Sequence, residues 1–313
     1  TVVATGAQEF KPDEYLYGSD DRVLTHLELE EEIHGQKDRI KNCRSLVMIQ
    51  CVGSRDAERP YCSRVCCGQA VKNALKLKEL NPEMKIYVLY RDMRTYGLME
   101  KAYGDAADHG VIFIRYHEAD KPEVQAQDGD KGLQVVVTEP TLGQKLMLQA
   151  DLLSLAAATV PPENNHSLSQ TLKVPLNSDG FFMEAHMKLR PVDFPTDGIF
   201  MCGLAHNPKR ITESVAQGYA AASRAMTVLS QEEMWGEGAI CQVNEKRCTG
   251  CSVCAEICPF HAVEVVPEKG VAVVNSALCK GCGLCAASCR SGALDVMGNN
   301  EEQVFSLLLA VSG

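Results

Sequence analysis

Hydrophobic and polar positions along the 313 residues change character several times. Residues 1–6 form an apolar run closing on a glycine, as a short buried strand does, and the polar, acidic stretch after it to about residue 38 reads as helical. From residue 44 the alternation becomes regular. A β-rich run at 44–52, helical spacing over 69–80, a strand at 85–90, a helical stretch at 98–109 and a strand at 111–116 predict a parallel α/β layer. Near-alternation in 133–139 and 145–150 around Thr141-Leu142-Gly143 predicts a hairpin, and 151–159 is either another strand or a short buried helix. The apolar run 198–203 enters a glycine turn, and 211–229 has the Ala-rich composition of a helix. Strand, turn and helix in that order set a helix N-terminus against a ligand.

After the polar, glycine-bearing stretch 230–238 the composition shifts, which predicts a domain boundary. Beyond it the chain repeats itself 31 positions on: Cys248-Thr-Gly-Cys-Ser-Val-Cys-Ala-Glu-Ile-Cys258 aligns with Cys279-Lys-Gly-Cys-Gly-Leu-Cys-Ala-Ala-Ser-Cys289, and both copies run on into similar segments at 262–265 and 293–296. Fifteen cysteines is a high count for this length. Eight lie in the duplication, four between Cys51 and Cys67, and Cys43, Cys202 and Cys241 stand apart as expected small buried hydrophobes. A chain this long has little need of a disulfide scaffold, and repeated C-x-x-C spacing favours thiolate ligands in a reducing compartment.

Each copy has the spacing C-x2-C-x2-C-x3-C, in which three thiolates from one loop serve one [4Fe–4S] centre and the fourth serves its neighbour. The expected sets are Cys248, Cys251, Cys254 and Cys289 for one centre, and Cys279, Cys282, Cys285 and Cys258 for the other. Gly250 and Gly281 allow the tight turns. Pro259 follows the first outer cysteine as the pattern expects, whereas Arg290 replaces the second proline. Zinc ribbons use well-separated C-x-x-C pairs, not two triplets with a shared fourth ligand. A chain with two such centres moves electrons one at a time.

Cys51, Cys62, Cys66 and Cys67 lie where a doubly wound sheet normally holds a nucleotide phosphate, at a strand end leading into a helix, but without G-x-G-x-x-G. A third [4Fe–4S] centre is the sharp reading of these four thiols. Adjacent ligands are geometrically demanding, so zinc, a redox-active Cys66-Cys67 dithiol and simple burial of one cysteine stand beside it. Arg55, Arg59 and Arg64 in this loop are either partners of such a group or solvated.

Several segments resemble one family. Cys51-Val-Gly-Ser-Arg, Arg59-Pro-Tyr-Cys-Ser-Arg-Val-Cys-Cys67, Leu89-Tyr-Arg-Asp-Met-Arg-Thr-Tyr-Gly97, Gly110-Val-Ile-Phe-Ile-Arg-Tyr116, Asp179-Gly-Phe-Phe-Met-Glu-Ala-His-Met-Lys-Leu-Arg-Pro191 and Gly198-Ile-Phe-Met-Cys-Gly203 resemble the C-terminal portion of the A-type subunit of heterodisulfide reductase, an iron–sulfur flavoprotein. Related subunits of quinone-interacting membrane-bound oxidoreductase and benzoyl-CoA reductase complexes are similar too. The resemblance implies an α/β fold with partial thioredoxin-reductase-like flavoprotein layers, followed by an α+β two-cluster ferredoxin domain. It divides the chain into 1–38 (end of the first flavin-domain half), 39–150 (a nucleotide-domain-like unit carrying the cysteine cluster), 151–232 (the second flavin-domain half) and 236–313 (the ferredoxin domain and tail).

It also implies FAD, contacted by Thr5, Gly6, Gly203, Leu204, Ala205, His206, Lys209, Ser214, Val215 and Gln217. Lys209 would act at the reactive edge of the flavin, and the start of the helix from residue 211 would face its pyrimidine end. Leu204 or Ala205 stands where the second flavin fingerprint usually has Asp. The N-terminal G-x-G-x-x-G and the family's N-terminal cluster domain are not in the sequence, so the expectation is a truncated chain or a second polypeptide supplying that half. In several members the flavin splits an electron pair between two paths, a step this sequence does not display.

Charge narrows the alternatives. Thirty-one basic against 41 acidic side chains give a net charge of −10, which disfavours nucleic acid as a partner. No apolar run is long enough to span a bilayer, so a cytoplasmic location and partners from a heterodisulfide-reductase-like complex are expected, with ferredoxin or hydrogenase/dehydrogenase subunits as donor or acceptor. Of the eight histidines only His206, beside the flavin turn, draws attention, and Trp235 is expected to pack the linker. The competing reading is a flavin-free, ferredoxin-like wiring or assembly subunit.

Overall fold

A computed structural model describes residues 1–127, 132–232 and 239–312. Trp235 and most of the expected boundary at 230–238 lie outside the described residues. The largest sheet runs in the order Val23–Thr25, Leu152–Ala157, Ser45–Val52, Lys85–Tyr90, Val111–Arg115, with every pair parallel. A parallel strand covered on both faces needs no alternation, and Leu46, Val47, Met48 and Ile49 are all fully buried in succession. Helices His26–His34 and Cys66–Leu80 cover one face through Leu29, Ile33, Ala70, Val71 and Leu77. An antiparallel meander of Glu123–Ala126, Leu133–Glu139 and Gln144–Ala150 covers the other through Leu133, Val135, Val137 and Leu148.

The hairpin and the helix Ile211–Leu229 fall where the sequence pattern puts them. The segment 151–159 is strand, since Leu152–Ala157 takes an inner place in the sheet. The helix expected up to residue 38 is mostly something else. Gln8–Glu9 pairs antiparallel with Thr159–Val160, Tyr15 and Leu16 turn at positive φ, and Val23–Thr25 joins the sheet edge. Helix starts only at His26, where Thr25 Oγ1 accepts from the Glu28 amide at 3.2 Å and Glu28 Oε2 accepts from the Thr25 amide at 2.8 Å, a reciprocal cap. The strand Glu123–Ala126 carried no periodic signal because three of its four residues are exposed.

A second small unit forms where Val2–Val3 pairs parallel with Phe200–Met201. Its core is Val3, Met201 and Ala205 over Phe182 and Phe194, whose rings meet edge-on at 5.7 Å. The C-terminal part has two antiparallel pairs, Cys241–Val243 with Leu294–Val296 and Val263–Val266 with Val271–Val274, and two one-turn helices, Val253–Glu256 and Leu284–Ala287. Lys280, in its second cysteine loop, forms an ion pair with Asp197 of the small unit. Among the described residues no helix is long and apolar enough to cross a membrane.

Candidate functional site

The duplicated segment folds as two equivalent sockets. Asn244 and Asn275 hold corresponding turns: their carbonyls accept from the Cys248 and Cys279 amides at 3.1 and 3.0 Å. Their side-chain oxygens accept from the Lys246 and Ala277 amides at 3.1 and 3.0 Å. Four backbone amides then point at sulfur, each at 3.3 Å: Ala272 at Cys248, Cys241 at Cys279, Ala262 at Cys258 and Ala293 at Cys289. Amides aimed at sulfur stabilise thiolate charge. Gly250 and Gly281 sit at φ +66° and +61°, and a Cβ would lie 2.5 Å from the Gly270 carbonyl oxygen at the first and 1.9 Å from that of Ala239 at the second. Both loops therefore need glycine for left-handed backbone and for close approach.

A small cavity is lined by Cys248, Cys251, Cys254 and Cys289, together with Gly250 and Leu294. Cys289 thus reaches across from the second repeat to the socket of the first. Cys254, Cys258 and Cys285 are buried in one core, against which Cys248, Cys279 and Cys289 pack, while Cys251 and Cys282 are exposed. Cys241 is not the isolated hydrophobe its position suggested: its Sγ lies 3.5 Å from Cys285 Sγ. Among the described residues no group of three or more His, Cys, Asp or Glu side chains closes on a point suited to a single metal ion.

At the second thiol group, Cys51 is the penultimate residue of the strand Ser45–Val52, at φ +63°, Cys62 lies in the loop and Cys66 and Cys67 open the helix Cys66–Leu80. The interaction between the adjacent Cys66 and Cys67 thiols splits their acidities. It pushes Cys66, with burial, well above the usual thiol range, and holds Cys67 down at about 7 against burial, helped by Arg94 and Arg55. Burial raises Cys51, which also feels Cys67 and Cys62. The three arginines are each anchored by partners within the protein. Arg55 pairs with Asp92 at 2.6 Å and lies 3.8 Å from Cys51 Sγ. Arg59 stacks on the Phe10 ring at 4.2 Å and donates to the Gly53 carbonyl at 2.6 Å. Arg64 reaches the small unit, donating to the Pro208 carbonyl at 3.2 Å and to Glu213 at 2.6 Å.

Those last contacts lead to the residues expected around a flavin. The Cys202 amide donates to the Val3 carbonyl at 3.1 Å, so the end of Val2–Val3, followed by Thr5 and Gly6, stands beside the Gly203-Leu204-Ala205 turn. Lys209 is 6% exposed and donates to the Gly203 carbonyl at 2.7 Å. Burial, with Arg64 nearby, lowers its pKa to about 8. Gln217 Oε1 accepts from the Gly203 amide at 2.9 Å, while its Nε2 meets His206 Nδ1 at 2.8 Å and His206 Nε2 meets Glu184 Oε2 at 2.8 Å. Burial, with Lys209, keeps the His206 pKa below its ordinary value. Glu184 is a member of this chain of contacts that sequence reasoning did not single out. Ser214 is half-buried and Val215 exposed on the first turns of Ile211–Leu229.

Residues 247–293 match the family model described as a 4Fe-4S dicluster domain. Over most of its length the chain aligns with curated proteins. It is 41% identical to an A-type iron-sulfur subunit of the CoB–CoM heterodisulfide reductase of Methanopyrus kandleri, across 82% of this chain and 41% of that protein. It is 40% identical to the corresponding protein of Methanocaldococcus jannaschii, across 86% of this chain and 43% of that one. The chain is a homologue of the A-type heterodisulfide reductase subunits. It spans less than half the length of these relatives. Among solved structures, the thioredoxin reductase of Lactococcus lactis covers 74% of the chain at a TM-score of 0.47 and 19% identity, matching 66% of its own length. In this heterodisulfide reductase homologue, Arg64 joins the cysteine-bearing loop to the start of the helix Ile211–Leu229, a connection across 149 positions that local pattern does not carry.

Proposed function

We propose that the chain is the electron-carrying portion of an iron–sulfur flavoprotein subunit in a heterodisulfide-reductase-like complex, working in the cytoplasm with donor and acceptor on other subunits. The observation that carries this reading is the cavity ringed by Cys248, Cys251, Cys254 and Cys289, with amides at 3.3 Å from Cys248 and Cys289. These four thiols would hold one [4Fe–4S] centre and Cys279, Cys282, Cys285 and Cys258 a second. Cys51, Cys62, Cys66 and Cys67 would hold a third, supported by the low-lying Cys67 thiol and the Arg55 guanidinium beside Cys51. Such centres supply one-electron transfer when bound.

Thr5, Gly6, Gly203, Leu204, Ala205, His206, Lys209, Ser214, Val215 and Gln217 would contribute one half of a flavin site, the other half coming from polypeptide corresponding to the rest of the relatives' length. In that site Lys209 would present a buried amine whose proton is loosely held, and the Glu184–His206–Gln217 chain would fix the Gly203 turn. The flavin-free wiring reading has its own support: the Gly203 amide and carbonyl are already satisfied, by Gln217 and Lys209.

Analysis of anaerobically purified protein for iron, sulfide, zinc and FAD tests both readings. About twelve irons and twelve sulfides per chain, at four of each per centre, accord with three centres. About eight of each would confine clusters to the duplicated segment, and zinc would make Cys51–Cys67 a structural site. FAD bound in the purified complex, bleaching on reduction, would exclude the wiring reading.

A further inference from the structure

The two sockets share their loop and amide geometry but differ in a buried neighbour of the ligand sulfurs. Cys241 and Ala272 occupy equivalent positions 31 residues apart, and each donates its amide to the first cysteine of a socket at 3.3 Å, Cys241 to Cys279 and Ala272 to Cys248. Both are buried. Ala272 offers a methyl group where Cys241 offers a thiol, 3.5 Å from the Sγ of Cys285, another thiol of the same socket.

We propose that Cys241 is a positioning residue that raises the reduction potential of the centre held by Cys279, Cys282, Cys285 and Cys258 above that of its twin. This rests on the reading of the sockets as cluster sites. Once Cys285 is bound as thiolate it has no proton to give, so the proton between the two sulfurs belongs to Cys241. Among the described residues the other acceptor within reach of Cys241 is the Gln242 carbonyl, more distant at 3.8 Å and uncharged. A donor to a ligand sulfur stabilises the extra negative charge of the reduced centre, which moves the potential upward. The twin has a side-chain donor of a different kind, Ser291 Oγ at 3.5 Å from Cys289 Sγ, but Ser291 is exposed, and water supplies the same bond if the hydroxyl is removed. No water replaces the Cys241 thiol in a packed core. Electrons entering the pair would therefore settle at the second centre.

The test uses the full chain, purified without oxygen, as wild type, Cys241→Ala and Cys241→Ser, with iron and sulfide content followed by EPR-monitored redox titration. The expected result is unchanged iron in Cys241→Ala, with one of the two module signals shifted down and the other unmoved. The oxidised-to-reduced ratio at fixed potential should rise by up to about tenfold, equivalent to ~59 mV for one electron. Cys241→Ser keeps a donor and should restore the signal toward wild type. Full iron with both midpoints unmoved, equal shifts of both signals, or no recovery in the serine variant would overturn the proposal. So would loss of iron from both variants, which would make Cys241 structural. Absence of clusters from the wild type itself would instead remove the reading of the sockets.

Discussion

Gly281→Ala separates the two reasons for glycine in the cysteine loops. At φ +61° a residue with a Cβ carries a conformational cost of about 1–2 kcal/mol. The new Cβ would also stand 1.9 Å from the Ala239 carbonyl oxygen and 2.9 Å from its carbon, so backbone must move, which adds about 1–3 kcal/mol. Gly270→Ala is the matched control, because Gly270 has φ +64° with nothing within 4 Å of its Cβ position and bears the first cost alone. Gly250→Ala, 2.5 Å from the Gly270 oxygen, falls between them. Anaerobic urea titration followed by loss of visible iron–sulfur absorbance should rank the midpoints Gly270→Ala, Gly250→Ala, Gly281→Ala from highest to lowest. With a slope of about 1–3 kcal/mol per molar, the first and last should differ by roughly 1 M. Equal midpoints for Gly281→Ala and Gly270→Ala would refute the steric argument and leave only the backbone angle.

Other perturbations address the remaining units. Burial lowers Lys209 to about 8, below the ordinary 10.5, so the unfolded chain binds the extra proton between those values and stability should rise with pH across that window. The wild type should gain on Lys209→Met between pH 8 and 10.5 in urea titrations, and a constant difference would contradict the assignment. His26 is fully buried, with Nδ1 at 2.7 Å from Ser154 Oγ and Nε2 at 3.0 Å from Gln50 Nε2, and burial lowers its pKa to about 3. Stability should therefore fall as pH drops below about 6.5, and His26→Gln should flatten that slope over pH 4–6.5. Arg64→Met removes the contacts to Pro208, Glu213 and Tyr96 and should cost about 1–3 kcal/mol in thermal or urea unfolding, while iron content stays at the wild-type level. A loss below about 0.5 kcal/mol would mean the bridge is solvated in solution.

The legible parts of this molecule were those whose cause is local. Helical composition located Ile211–Leu229, near-alternation located the Leu133–Glu139 and Gln144–Ala150 pair, and cysteine spacing pointed to the paired sockets. Contacts made by distant segments were not legible: Glu184 with His206, Arg64 with Pro208, and the pairing of Gln8–Glu9 with Thr159–Val160. The acidic content of 7–38 suggested one helix because composition cannot register the turn at Tyr15 and Leu16 or the late cap at Thr25. Cys241 is the instructive case. It seemed partnerless along the chain, yet the 31-residue register that aligns the cysteines also aligns Cys241 with Ala272 and so contained its place beside the second socket.

The crossing of Cys289 into the cavity of the first repeat has a consequence for how the C-terminal segment can be built and inherited. Two halves that each complete themselves could be separated, shuffled or lost one at a time. Here the first half is left short of a sulfur without the second, so deleting the second copy removes more than its own share. Under the proposed ligand sets, assembly of the first socket is conditional on the second copy, and losing that copy does not leave a chain that is cleanly half as good.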